Sequence, residues 1–187
     1  MKRTIGRRWA PTLILAAAAV GCGEEATTAT AAPELLEMGA DVVQTGMVTL
    51  ITREGVREGE IFADTAYLYQ DSSVAILTNP VLTLYTETGA LRARVESEWG
   101  KLYENTQEMV ARGNVVLTIQ EGNKEVETAE LHYDPNGDRI WSDSLTVLRE
   151  EGVVSTGLGF ESDLEFRNTR VGPGSIRRTG SGGGIRF

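Results

Sequence analysis

From Val115 onward, apolar and polar positions alternate. Val115, Leu117 and Ile119 are separated by Val116 and Thr118; Ala129, Leu131 and Tyr133 by Glu130 and His132; Leu145 and Val147 repeat the pattern with Thr146 and Leu148 opposite. A period of two predicts a strand with one dry face. Between the runs stand Glu121-Gly122-Asn123, Asp134-Pro135-Asn136-Gly137-Asp138 and Glu151-Gly152, residues that tolerate or pre-set turn dihedrals. The stretch from Ala111 to Phe160 is therefore predicted to be short strands joined by tight turns.

Earlier parts of the chain look like copies of this unit. Thr65-Ala66-Tyr67-Leu68-Tyr69 aligns with Thr128-Ala129-Glu130-Leu131-His132, and Asn79 to Leu84 aligns with Ser144 to Leu148 after a one-residue shift. A middle copy runs from Gly100 to Thr118, and a fourth begins at Gly157. The spacing is about 30 residues and drifts, which marks a unit that must stack on its neighbours to bury its apolar face. With two strands per copy, the prediction is an all-β, elongated antiparallel body of roughly seven or eight strands in about four repeats. Val48 to Thr52 forms the first strand and closes at Glu54-Gly55; the segment Leu35–Gly46 is readable as strand or as helical turn. Pro80 is placed near the start of a strand, where a missing N–H is tolerated.

The N-terminus has a different composition. Residues 1–21 combine a basic start (Lys2, Arg3, Arg7, Arg8) with an apolar run from Ala10 to Val20. That run is too short for a helix crossing a bilayer, which needs about 20 residues, so the segment is predicted to be an export signal. Its end, Ala19-Val20-Gly21-Cys22, resembles a bacterial lipobox and marks Cys22 for lipidation; the plainer alternative is an ordinary signal peptide followed by a stray cysteine. Residues 22–44 are predicted to be a flexible tether. The folded domain is assigned to 45–166, and the Gly- and Arg-rich stretch 167–187 is expected to be disordered.

The net charge is −9, and the leader holds four cations and no acid. An acidic body excludes nucleic acid as a natural partner. One cysteine excludes an internal disulfide. With a single histidine, His132, multi-histidine metal sites are excluded; the residue itself is expected on the outer face of its strand. Glu125, Glu127 and Glu130 read as solvent-facing acids, and the Asp134–Asp138 stretch as a hairpin turn rather than a calcium loop. No catalytic residue, metal site or cofactor is predicted. The strand aromatics, among them Tyr67, Tyr69, Trp99, Tyr103 and Trp141, suit either a ligand trough or core filling.

Three runs carry a family resemblance: Ala-Arg-Gly-Asn-Val-Val-Leu-Thr (Ala111–Thr118), Glu-Thr-Ala-Glu-Leu-His-Tyr-Asp (Glu127–Asp134) and Asp-Ser-Leu-Thr-Val-Leu-Arg-Glu-Glu-Gly (Asp143–Gly152). Following an export anchor and tether, they resemble the LptC family of lipopolysaccharide exporters and its soluble LptA (OstA-like) relatives. The resemblance implies a twisted antiparallel β-jellyroll open along one side. It also implies a periplasmic, membrane-anchored protein that takes lipopolysaccharide from the subunits of an inner-membrane ABC transporter. The lipid would pass to an LptA-like bridge protein joined by edge-strand stacking. Val115, Leu117, Ala129, Leu131, Tyr133, Leu145 and Val147 are the expected groove lining. The chain departs from the family in having an expected lipid anchor at Cys22, in the inner rather than the outer membrane, in place of a transmembrane helix. The alternatives are a lipid-tethered LptA-like bridge and a carbohydrate-binding or adhesive β-lipoprotein.

Overall fold

The structure, a computed structural model, describes residues 39–53 and 55–178. The expected signal peptide, Cys22 and most of the tether lie outside the described residues. Those described form one antiparallel sheet of twelve strands. In chain order these are β1 (Val42–Arg53), β2 (Val56–Tyr69), β3 (Val74–Thr78), β4 (Val81–Tyr85), β5 (Leu91–Glu96), β6 (Trp99–Tyr103), β7 (Glu108–Ile119), β8 (Lys124–Asp134), β9 (Arg139–Glu150), β10 (Val153–Ser162), β11 (Arg170–Val171) and β12 (Gly174–Arg178).

The twelve strands behave as a meander of longer, kinked ones. β3 and β4 keep a single register against β2, with Thr78 opposite Thr65 and Val81 opposite Phe62. β6 and β5 likewise divide β7 between them, and β12 and β11 divide β10. Kinks fall at matching heights. Asn79 (φ 48°) precedes Pro80, Gly113 (φ 77°) precedes Asn114 (φ 44°), and Gly159 (φ 89°) interrupts β10. A left-handed backbone strains most L-residues but suits glycine and asparagine, which explains the Gly-Asn pair in β7. A Cβ on Gly113 would lie 2.6 Å from a Glu98 carboxylate oxygen, and the Asn114 amide donates to the same carboxylate at 2.5 Å.

Kinks and bulges switch which residues face inward. In β8 the buried positions are Val126 and Thr128, then Leu131 and Tyr133; in β2 they are Gly59, Ile61 and Ala63, then Ala66. The register of β8 slips by one residue against β7 and again against β9 at this height. Where the β8–β9 ladder is broken, buried hydroxyls take over. Thr128 and Ser142 share a hydrogen bond of 2.8 Å, Thr146 donates to Thr128 Oγ1 at 3.3 Å, and Ser142 accepts the Ser144 N–H at 3.1 Å. This satisfies polar groups that burial would otherwise penalise.

The row of kinks divides the sheet into two leaves whose buried faces form one core. One leaf contains β4, β5 and the 56–62, 115–119 and 124–128 segments; the other contains β3, β6 and the 65–69, 108–112 and 131–134 segments. Ile61, Leu77, Leu82, Leu117, Ile119, Val126 and Ile140 are at most 1% exposed. Packing is close enough that a Cβ on Gly100 would sit 2.9 Å from Pro80 Cγ and 3.0 Å from Met109 Cε. The architecture is the all-β, twisted antiparallel fold expected, but in twelve strands rather than seven or eight, because the kinks break the long strands in two.

Two boundaries differ from the sequence reading. β1 starts at Val42, so the ambiguous segment is strand from Val42 to Gly46. The stretch expected to be disordered from Arg167 instead contains β11 and β12, both paired to β10. Composition misses this because all five residues of β12 are exposed: the strand is held by its backbone ladder and has no buried side chain to announce it.

Candidate functional site

Of the seven residues expected to line a groove, four face the interior: Val115 (1% exposed), Leu117 (0%), Leu131 (2%) and Tyr133 (4%). Ala129 does not, because the bulge between Thr128 and Leu131 turns it to solvent. Leu145 is 65% exposed, and Val147 is half-buried on the same outer side. In β9 the inward residues are Ile140, Ser142, Thr146 and Leu148, so the apolar-looking phase of Leu145 and Val147 is the outer one. A buried threonine in the hydroxyl cluster disguises the true inner face. The alternation also missed the contribution of the first copies, Ile61, Leu77, Leu82 and Leu84, which share this interior.

The leaves meet again at their tips, opposite the kinks, and form a mouth. Two arginines reach across it. Arg53 at the end of β1 donates from Nη2 to the Pro135 carbonyl at 2.7 Å. Arg92 in β5 donates from Nη1 to the Leu164 carbonyl at 3.2 Å and pairs with Glu165 at 2.8 Å. On either side of Arg92 lie two recesses of about 560 and 550 Å³ that share Thr86, Glu87, Arg92 and Glu165. Leu91, Ile119 and Phe166 lend one an apolar floor, while Val56 and Tyr85 do so for the other. Arg57 lies over the Tyr85 ring at 4.2 Å. No sequence signal marks this mouth: Arg53 and Arg92 read as ordinary strand charges until topology brings distant turns beside them.

Tyr133 lies beneath the mouth. Burial pushes its phenol well above the usual value, reinforced by the charge of Glu58 and opposed by Arg53 and Arg92, so the side chain stays neutral. Away from the mouth, further charged pairs lie on the outer face. There Arg112 pairs with Glu130, Glu130 meets His132 Nε2 at 2.7 Å, and the His132 ring stacks on Trp141 with centroids 4.9 Å apart. Arg139 lies over Trp141 at 4.5 Å and pairs with Glu161 at 3.0 Å. The hydrogen bond from Arg112 holds the Glu130 carboxyl below its ordinary pKa against the opposing effect of desolvation, with His132 adding to it. His132 is thus an outer-face residue, as its position in the strand predicts. The Asp134–Asp138 turn is a side-chain-capped hairpin in which Asp134 Oδ1 accepts the N–H groups of Asn136 and Gly137, each at 2.9 Å. Among the described residues no group of three or more His, Cys, Asp or Glu side chains is placed to hold a metal ion.

An apolar interior is thus bordered by a polar, bridged mouth. The crystal structure of LptH from Pseudomonas aeruginosa, described as the LptA-homologous periplasmic component of the conserved lipopolysaccharide transport device, shares the fold with a TM-score of 0.51. The identity is 17%, over 66% of this chain and 85% of that one. No curated protein matches the sequence. The profile of the lipopolysaccharide-assembly, LptC-related family matches residues 12–171, up to the end of β11, and the chain belongs to that family.

Proposed function

We propose that this protein is a periplasmic component of lipopolysaccharide export that shelters the acyl chains of its cargo between the two leaves. The observation that carries this reading is a continuous apolar inner face, supplied by both leaves and bordered on one side by a mouth, in a member of a lipopolysaccharide-assembly family. Each methylene moved from water into this interior is worth about 0.8 kcal/mol, so several chains of ordinary length bind strongly without any contact to the head group. Movement between equivalent apolar sites is nearly neutral, and its direction must come from an ATP-driven transporter. On this reading Cys22 is lipidated and anchors the chain to the inner membrane. The residues between Cys22 and β1 tether the domain, and its edge strands align with neighbouring modules, a transporter subunit on one side and an LptA-like bridge on the other.

A carbohydrate-binding role is less favoured, because the outer-face Trp141 already has His132 stacked on it and Arg139 over it. The test is photo-crosslinking in cells. A photoreactive residue replacing Leu131 or Val115 traps lipopolysaccharide, while the same residue at the outward Leu145 does not. Absence of adduct at both inner positions refutes the proposal.

A further inference from the structure

A carrier whose interior is already filled by its own side chains must open to load, and the connections across the mouth show where. The leaves are joined along the kinks by unbroken backbone and at the tips by the arginine contacts. We propose that the mouth is the lateral entrance for acyl chains and that Arg53 and Arg92 are its latches. Loading then requires the Arg53–Pro135 and Arg92–Leu164 contacts, with the Arg92–Glu165 pair, to break. This inference rests on the lipid-carrier reading.

Three observations support it. Both latches join a tip of one leaf to a tip of the other over long sequence separations, 82 and 72 residues, so they bind parts of the sheet that the strand ladder does not connect there. Each donates to a backbone carbonyl of the opposite leaf, and Arg92 adds an ion pair with Glu165 there. Arg92 is only 20% exposed at its side chain and separates two recesses, so its release would join them into one opening above Tyr133. The occupant is an acylated amphiphile: apolar surface at Leu91, Tyr85 and Phe166 leads inward, and charged groups remain at the rim for a polar head group. A charge-assisted bond of this kind is worth roughly a factor of ten in the closed-to-open ratio, so losing one latch raises the open population about tenfold.

The experiment locks the mouth reversibly. In the purified full chain carrying Cys22→Ser, Arg92→Cys and Glu165→Cys are joined by a short cleavable bismaleimide, and uptake of lipopolysaccharide from micelles is followed over time. Locked protein is expected to load at least about tenfold more slowly, with the rate restored on cleavage; the cleaved sample shows that the variant folds. Independently, Arg53→Ala with Arg92→Ala is expected to load faster and to show faster amide exchange at residues 134–138 and 163–166, with protection of β7 and β8 unchanged. If locked and cleaved protein load equally, the chains enter from an end of the sheet and the latch proposal is overturned, while the carrier reading stands. If neither binds lipopolysaccharide and the wild-type chain also fails, the carrier reading falls and the latches with it.

Discussion

Replacing Leu131 and Leu145 separately by alanine tests the face assignment on which the interior depends. The two residues read alike in sequence, each an apolar member of an alternating run. Leu131 is 2% exposed and faces inward, with Ala111 as its cross-strand partner in β7. A small neighbour on one side and fixed backbone on the other limit how far the site can collapse, so truncation should leave most of its cavity. Such a cavity costs about 3 kcal/mol, within the usual 2–5 kcal/mol range. Leu145 is 65% exposed and pairs with an equally exposed Leu158, so its truncation removes only a surface cross-strand pair, about 0.5 kcal/mol. For a domain of this size the first change lowers Tm by about 6–12 °C and the second by about 2 °C or less. Thermal and urea unfolding followed by circular dichroism measure both. Equal losses, or a larger loss at Leu145, would refute the inner-face assignment of β8 and β9 and with it the description of the interior.

Further outcomes follow from single contacts. Gly113→Val forces a β-branched side chain into a left-handed backbone against Glu98 and should cost about 2 kcal/mol or more in urea unfolding. Thr146→Val leaves its hydroxyl partners in the buried cluster unsatisfied and should cost about 1–3 kcal/mol, unlike a surface Thr→Val change. Because the folded-state pKa of Glu130 is lowered, its contribution is present above the unfolded value near 4.5 and is lost as pH falls through the folded one. Arg112→Ala should therefore reduce stability at pH 7 by about 0.5–1 kcal/mol, and the difference from wild type should shrink as pH is lowered below about 4. A variant whose deficit is constant from pH 7 to pH 3 would contradict that assignment.

Much of the fold was legible because strands announce themselves by alternation and turns by Gly, Asn and Pro. The run Val115-Leu117-Ile119 reads correctly since no bulge interrupts it, and Leu131 and Tyr133 read correctly because they follow one. Errors gather where the ladder slips. A bulge between Thr128 and Leu131 shifts the inward phase by one residue, so extending Leu131 and Tyr133 back to Ala129 lands on the outer face. The internal alignment hid this, for Ala66 and Ala129 occupy equivalent positions in two copies while only Ala66 is buried. In β9 the inward residues include Ser142 and Thr146, polar side chains that a hydrophobic pattern assigns outward. The mouth was illegible for a different reason: it is built from residues 53, 92, 135 and 164–166, far apart in the chain and joined through backbone carbonyls that carry no side-chain signature.

The filled interior has its own logic under the carrier proposal. An empty trough of this length would expose several hundred Å² of apolar surface, and at about 25 cal/mol per Å² the leaves gain many kcal/mol by collapsing onto each other between loads. Collapse makes loading an exchange: contacts between Leu131, Leu117 and the facing leaf are replaced by contacts between each leaf and an acyl chain, with little net change in the buried area of the protein itself. Affinity then depends on the difference between two packed states, and the barrier depends on separating the leaves. A substitution that enlarges the interior without exposing it, such as Leu117→Ala, should therefore weaken folding yet strengthen retention of acyl chains, because the cavity it creates is vacant only when no chain is bound. Measuring stability with and without bound lipopolysaccharide decides this: bound lipid should recover part of the stability lost. If it recovers none, acyl chains do not reach Leu117 and the cargo lies elsewhere on the sheet.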